Sequence, residues 1–275
     1  MNTDRKIVVV DVGCRWGFAE RFISGGDFFR VYGFDPDEKE CGRLNAQYAS
    51  DFVKAVPLAL AGSLGKRTLY LTKEPACSSL HQPDPILTAE YPALACATEV
   101  AKIEVQTTTL DAWALSNSIS AIDFIKIDTQ GTELEILHGA QKILVTVKAI
   151  NVEVEFNPIY LGQPVFADVD TYLRSQGFVL WKLTNLVHYS RGQASQDAFG
   201  KDITCYDDFR VSRHELYSGQ LYWADAHYVK KDLVDWLNTD SVDERRCNAL
   251  LFDSIGMPDF AQHLANRPLT STTAA

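Results

Sequence analysis

Ile7-Val8-Val9-Val10-Asp11-Val12-Gly13-Cys14-Arg15-Trp16-Gly17 is the stretch that decides the fold. Its first six residues form a continuous, mostly β-branched run, the pattern of a strand covered on both faces in a parallel sheet. Gly13 to Gly17 makes a turn, and residues 18–29 predict a helix with Phe18, Phe22 and Ile23 on one face. Gly25-Gly26 weakens the end of that helix. Val31-Tyr32-Gly33-Phe34 predicts the second strand. Asp35-Pro36-Asp37-Glu38 reads as a helix start, with Asp35 as the cap and Pro36 at the first helical position.

Working outward, residues 52–60 predict a third strand and 67–72 another. Residues 73–102 contain three prolines before Pro92 and few periodic apolar positions. They read as a long, lid-like loop with a short helix at 88–97. Residues 103–109 alternate as a strand, 110–115 form a short helix, and 122–128 form a buried strand. Thr132-x-x-Glu135 predicts a capping box on a helix that Gly139 closes. A strand at 149–156, a helix at 166–176 ended by Gly177, and strands at 178–183 and 220–223 complete the alternation. The expected architecture is α/β: a doubly wound, mostly parallel sheet with right-handed crossovers. Residues 1–228 form one domain in this reading, 229–268 a helical extension, and 269–275 a disordered tail.

Composition narrows the function. The chain has 275 residues, 26 Lys plus Arg against 36 Asp plus Glu, and a net charge of −10. That balance argues against coating nucleic acid, which needs a basic face. No apolar run is long enough to span a membrane. The six cysteines are scattered with no C-x-x-C pair, so reduced thiols in a cytoplasm are expected rather than disulfides or zinc.

Ligands of open α/β sheets bind beyond the carboxyl ends of the strands. Those ends carry Asp11 and Gly13, then Asp35, Leu60, Asp128 and Glu155. A glycine turn admits close approach of a ligand to backbone, and an acid about 20 residues later can hold two ribose hydroxyls. Gly13 and Asp35 are 22 residues apart. The second glycine of a dinucleotide site is replaced by Arg15, and Asp11 stands just before the turn. A carboxylate there repels a pyrophosphate and suits a cationic donor, which favours S-adenosylmethionine over NAD.

These residues resemble the FkbM-type methyltransferases. The resemblance rests on Val10-Asp11-Val12-Gly13, on Gly33-Phe34-Asp35-Pro36-Asp37, and above all on Ile122-Asp123-Phe124-Ile125-Lys126-Ile127-Asp128-Thr129-Gln130-Gly131-Thr132-Glu133 continuing to Gly139-Ala140. Ser78-Ser79-Leu80, Thr109-Leu110-Asp111 and Gly177-Phe178 also fit, so that residues 7–183 are covered. The departures are Cys14-Arg15 in place of Ala-Asn and Gln130 where many members carry Glu. The resemblance implies a seven-stranded class I methyltransferase fold and O-methylation of sugar or other small-molecule hydroxyls.

On this reading Asp11, Gly13 and Gly17 hold the methionine end of the donor. Asp35 takes the ribose, Pro36 and Leu60 flank the adenine, and Asp128 orients the amine or the acceptor. Asp128, Glu155 and Glu133 are the candidate bases, with His81 in the lid beside them. Lys126 pairs with Asp128 or Glu153. A magnesium ion on Asp128 and Glu155 is the less favoured use of those oxygens, and no metal is assigned. Tyr160 lines the acceptor side, His138 answers its helix dipole, and Trp181, Trp223 and Trp236 are core. The acceptor is a small molecule or glycan. The competing readings are an NAD-dependent oxidoreductase and a non-catalytic module that keeps the fold.

Overall fold

The computed structural model describes residues 5–189, 220–235 and 241–266. Seven strands form the main sheet: β1 (Ile7–Val12), β2 (Phe29–Phe34), β3 (Val53–Val56), β7 (Phe124–Ile127), β8 (Ala149–Glu155), β9 (Phe178–Tyr189) and β10 (Gln220–Lys230). Their order is β3-β2-β1-β7-β8-β10-β9. Every neighbouring pair from β3 to β8 is parallel, and β10 runs antiparallel between β8 and β9. The carboxyl ends of the parallel strands therefore share one edge. A second sheet, β4 (Ala59–Leu60), β6 (Glu99–Thr108) and β5 (Gly65–Thr72), stands beside them.

Period-two alternation divides the main sheet's apolar residues between two faces. Val10, Val12, Ile125, Ile127, Val152 and Val154 pack on α4 (Leu110–Ser116), α5 (Glu133–His138) and α6 (Phe166–Ser175). Ile7, Val9, Phe124, Ala149 and Val229 pack on α1 (Glu20–Ser24), α2 (Glu38–Tyr48) and the C-terminal helices. Those helices are α7 (Lys231–Val234), α8 (Val242–Ser254) and α9 (Pro258–Asn266). Leu251, Phe252, Phe260 and Leu264 join the same cluster, so the extension docks on the sheet. Full burial of each such side chain contributes roughly 1.5–3 kcal/mol. Trp236 and residues 267–275 lie outside the described residues.

Several elements depart from the sequence expectation, each for a local reason. Helix α1 is five residues long. An added Cβ at Gly25 would lie 2.8 Å from the Phe29 ring and at Gly26 2.5 Å from Phe52, so these glycines form a turn under two rings. The α2 cap is Asp37, whose Oδ1 accepts from Lys39 N and Glu40 N at 3.0 and 3.2 Å. Asp35 is not the cap, and its carboxylate is free of the helix. The strand expected over 52–60 breaks at Pro57 and divides between the two sheets. Thr132 and Glu135 make no capping box: Thr132 Oγ1 donates to Thr129 O, and Glu135 pairs with Arg67 and His81.

The expected loop over 73–102 is a packed wall. It contains 3-10 turns at Pro75–Cys77 and Pro92–Ala97, helix α3 (Pro85–Glu90) capped by Asp84, and the start of β6. Tyr91 and Leu94 are buried, and the Tyr91 ring meets Tyr222 edge-on at 5.2 Å.

Candidate active site

A cavity of about 650 Å³ opens where the strand ends meet this wall. Its size suits a drug-sized ligand. Neighbouring strands lie about 4.8 Å apart, so a cavity reaching from Asp35, just past β2, to Trp223 on β10 spans roughly 19 Å.

The β1 corner is set by the turn at Gly13. Gly13 N and Cys14 N both donate to Phe34 O, at 2.9 and 3.2 Å, and Asp128 N donates to Val12 O. Gly13 has φ +85°, and a Cβ there would lie 1.9 Å from Asp128 O. Glycine is needed here because β1 and β7 converge. Gly17, at φ +111°, has the Tyr48 hydroxyl where its Cβ would be, and it lines no part of the cavity.

Asp35 is buried and lines the cavity. Its Oδ1 accepts from Asp37 N at 2.8 Å and lies 3.6 Å from Arg15 Nη1. Burial raises its pKa, with the Asp37 N–H and Arg15 opposing. Arg15, the residue in place of a dinucleotide site's second glycine, also donates to Asp37 Oδ2 at 2.6 Å and braces this corner. Pro36 and Leu60 line the same end.

Lys126 stands below the middle of the cavity, 3.2 Å from Asp128 Oδ2 and 3.5 Å from Asp11 Oδ1. The expected Lys126–Asp128 pair is therefore formed, and Glu153 turns instead to Gln130. Burial works against the Lys126 charge, but Asp11 and Asp128 outweigh it and hold the ammonium above its ordinary range. Asp11 lies beneath the cavity without lining it, and its Oδ1 makes no hydrogen bond. Burial raises the Asp11 pKa, and Lys126 opposes.

The β8 end is different in kind. Glu153 and Glu155 are buried, yet both line the cavity. Burial pushes both well above the carboxylate range, and neighbouring carboxylates add to the shift. Tyr160, Tyr189 and Trp223 wall this half. Trp223, expected in the core, lines the cavity and donates from Nε1 to Tyr189 Oη at 2.9 Å. Trp181 is also not core: it is partly exposed beside Phe260. Gln130, a departure from the family pattern, lines the cavity too, as do Cys77 and Cys96, which nothing in their sequence context marked.

Of the candidate site residues, the structure brings Gly13, Asp35, Pro36, Leu60, Asp128 and Glu155 to one cavity. It leaves Asp11, Gly17 and Glu133 outside the lining. Both Glu133 oxygens turn back into its own loop, accepting from Gly131 N, Thr129 N and Thr129 Oγ1. Glu133 thus serves the turn and faces no ligand. His81 is held at both ring nitrogens, 3.2 Å from Leu161 O and 3.1 Å from Glu135 Oε1. His138 meets the Tyr172 ring edge-on at 4.4 Å. Among the described residues, no group of three His, Cys, Asp or Glu side chains converges as a metal would need. No helix there is long and apolar enough to cross a membrane.

The donor set suits a ligand with a diol and a cation. Asp35 and Asp128 flank the Gly13 turn, and Arg15, the cation beside Asp35, is engaged by Asp37. A pyrophosphate would meet two carboxylates there.

Known proteins bear on this site. The model of the methyltransferase FkbM domain matches residues 11–180. The 2-O-methyltransferase NoeI of Sinorhizobium fredii (strain NBRC 101917 / NGR234) is 27% identical over 173 residues, 59% of this chain and 70% of that protein. Among solved structures, magnesium protoporphyrin IX methyltransferase ChlM from Synechocystis PCC 6803 with bound SAM is 12% identical. It covers 82% of this chain and 70% of its own, with a TM-score of 0.37. The StiE O-MT structure is 10% identical and covers 92% of this chain and 74% of its own, with a TM-score of 0.40. The family match covers more than half of the chain: the chain belongs to the FkbM methyltransferase family and is an S-adenosylmethionine-dependent methyltransferase.

Proposed function

We propose that the protein methylates a hydroxyl on a small-molecule or glycan acceptor in a cytoplasmic setting. The observation that carries this reading is the division of one cavity into two chemically distinct halves along the strand ends. Asp35 at the β2 end would take the ribose hydroxyls, with Pro36 and Leu60 beside the adenine. The Gly13 turn and Asp128 would receive the methionine end. The chamber of Glu153, Glu155, Tyr160, Tyr189 and Trp223 would receive the acceptor. The name of NoeI, a 2-O-methyltransferase, supports oxygen as the methylated atom.

When bound, the donor supplies an electrophilic methyl carbon on a sulfonium. The chain must hold an acceptor oxygen in line with that carbon and take its proton as the bond forms. Asp128, at the junction of the two halves with Lys126 beside it, would accept that proton or hold the donor amine. Glu155 and Glu153, raised by burial, can donate hydrogen bonds to acceptor oxygens and orient them. Asp11 acts through Lys126 rather than on the ligand. Glu133 is not placed to act as a base.

Family membership sets aside the oxidoreductase reading. The non-catalytic reading required the acids of β7 and β8 to be buried and mutually satisfied. Asp128 instead lines the cavity and is a third exposed. The test is transfer of labelled methyl from S-adenosylmethionine to a panel of polyhydroxylated acceptors. Labelled product from at least one acceptor, abolished by Asp128→Asn, is expected. Methylation confined to nitrogen or sulfur acceptors would overturn the reading.

A further inference from the structure

Gln130 follows Asp128-Thr129 in the turn from β7 to α5. Its φ is +60°, in the left-handed region, and Gly131 after it is at +111°. A side chain held at such a φ costs of order 1–3 kcal/mol and persists only where the surroundings enforce it. Glycine would fit without that cost. The side chain that stands there instead is a long amide with both ends engaged.

Gln130 Nε2 donates to Asp128 Oδ1 at 3.1 Å and to Glu153 Oε2 at 2.6 Å. Its Oε1 lies 3.0 Å from the Tyr160 hydroxyl, which also reaches Cys77 O at 2.7 Å. Its backbone carbonyl accepts from Ser79 Oγ at 2.6 Å, which ties the turn to the wall. An amide has two donors and one acceptor oxygen, and all are used here. The amide therefore joins the Asp128 carboxylate, in the middle of the cavity, to Glu153 and Tyr160 on its far side.

We propose that Gln130 is the positioning residue of the methyl-transfer site, its amide fixing the Asp128 carboxylate and registering it against Glu153 and Tyr160. Lys126 holds Asp128 Oδ2 and Gln130 holds Oδ1, so the carboxylate cannot rotate. Without the amide, the Asp128 and Glu153 carboxyls face each other with no side chain bridging them. Lys126 faces this pair from below, and Glu133, Glu155 and Asp225 surround Glu153. The inference rests on the reading that Asp128 meets the donor.

Calorimetric titration with S-adenosylhomocysteine tests it on the full chain. Gln130→Gly relieves the strained φ, so it should unfold within a few degrees of the parent, yet bind about tenfold more weakly, the worth of one lost hydrogen bond. Gln130→Glu keeps the acceptor and loses the donors while ionised. It should bind weakly at about pH 8 and recover towards the parent as pH falls through about 6, because the Asp128 and Glu153 carboxyls beside it raise its pKa and a protonated carboxyl donates again. A merely structural role would give no such pH-dependent rescue. Undiminished binding by Gln130→Gly, or a Gln130→Glu deficit independent of pH, overturns the inference while the donor reading stands. A parent that does not bind S-adenosylhomocysteine overturns both. If Gln130→Gly fails to fold, the pH response of Gln130→Glu decides alone.

Discussion

The two halves of the cavity handle negative charge in opposite ways. At the β1, β2 and β7 ends, carboxylates have cations beside them: Asp35 and Asp37 have Arg15, and Asp11 and Asp128 have Lys126. At the β8 end, Glu153 and Glu155 are buried against tyrosines and Trp223; amides of Gln130 and Gln163 reach them, but the charged groups around them are further carboxylates, with no cation among the described residues paired to either. An unpaired buried charge is costly, so the group shifts its pKa and neutralises instead. One half presents fixed charge to a cationic donor. The other presents carboxyls whose raised pKa favours the protonated form, to the polar acceptor we propose.

The sharpest way to break this division is at its hinge. Gly13→Ala would press a Cβ against Asp128 O and force an alanine to φ +85°. The β1 and β7 ends would part, and with them the register of the halves. A loss of about 3 kcal/mol or more, roughly 6–12 °C in Tm, is expected, together with loss of S-adenosylhomocysteine binding. Thermal unfolding with and without ligand checks both. Next in size is Asp35→Ala, which should weaken S-adenosylhomocysteine binding by one to two orders of magnitude, about 1.4–2.8 kcal/mol. Asp37→Ala is its control. It removes only a helix cap and one side of the Arg15 clamp, so it should cost about 1 kcal/mol of stability and little affinity. Equal affinity losses by calorimetry would remove Asp35 from the ribose site.

Much of the donor half was legible in the chain, because strand runs such as Ile7–Val12 announce where they end and Asp35 and Asp128 stand at those ends. The exact cap was not. Asp35-Pro36-Asp37 offers two caps, and proline biases the residue before it to extended backbone. That bias turns Asp35 off the helix and into the cavity, leaving Asp37 to cap. Glu133 misled for a similar reason: the positive φ values of Gln130 and Gly131 fold the loop so that its N–H groups converge on that carboxylate. The acceptor half was less legible still. Its wall is built from 3-10 turns with no amphipathic period, and Tyr91 finds Tyr222 across more than a hundred residues.

The raised carboxyls of the β8 end predict a pH signature. Burial places the folded-state pKa of Glu155 above its unfolded value. The folded state then binds more protons, so stability falls as pH rises from the ordinary carboxylate range through the raised pKa. Glu155→Gln mimics the protonated form and removes that loss. The variant should match the parent near pH 4 to within about 1 kcal/mol and exceed it increasingly towards pH 8, by urea denaturation at each pH. A parent whose stability is flat over that range relative to Glu155→Gln would mean Glu155 is ionised, and the contrast between the halves would fail there.

The smallest test uses the wall. Cys96 lines the acceptor half, and a hydrogen bond from the Cys77 thiol lowers its pKa to about 7, with burial opposing. Its alkylation by iodoacetamide should therefore proceed at lower pH than that of an ordinary thiol, whereas Cys14 and Cys41, pushed up by burial, stay unreactive. Cys77→Ala should return Cys96 to the ordinary thiol range. It should slow alkylation at neutral pH by about fivefold, because the gain in thiolate fraction outweighs its lower nucleophilicity. S-adenosylhomocysteine in the donor half should leave the rate nearly unchanged, whereas an acceptor analogue should suppress it. Protection by S-adenosylhomocysteine as strong as by the analogue would place the donor against the wall and reverse the assignment of the two halves.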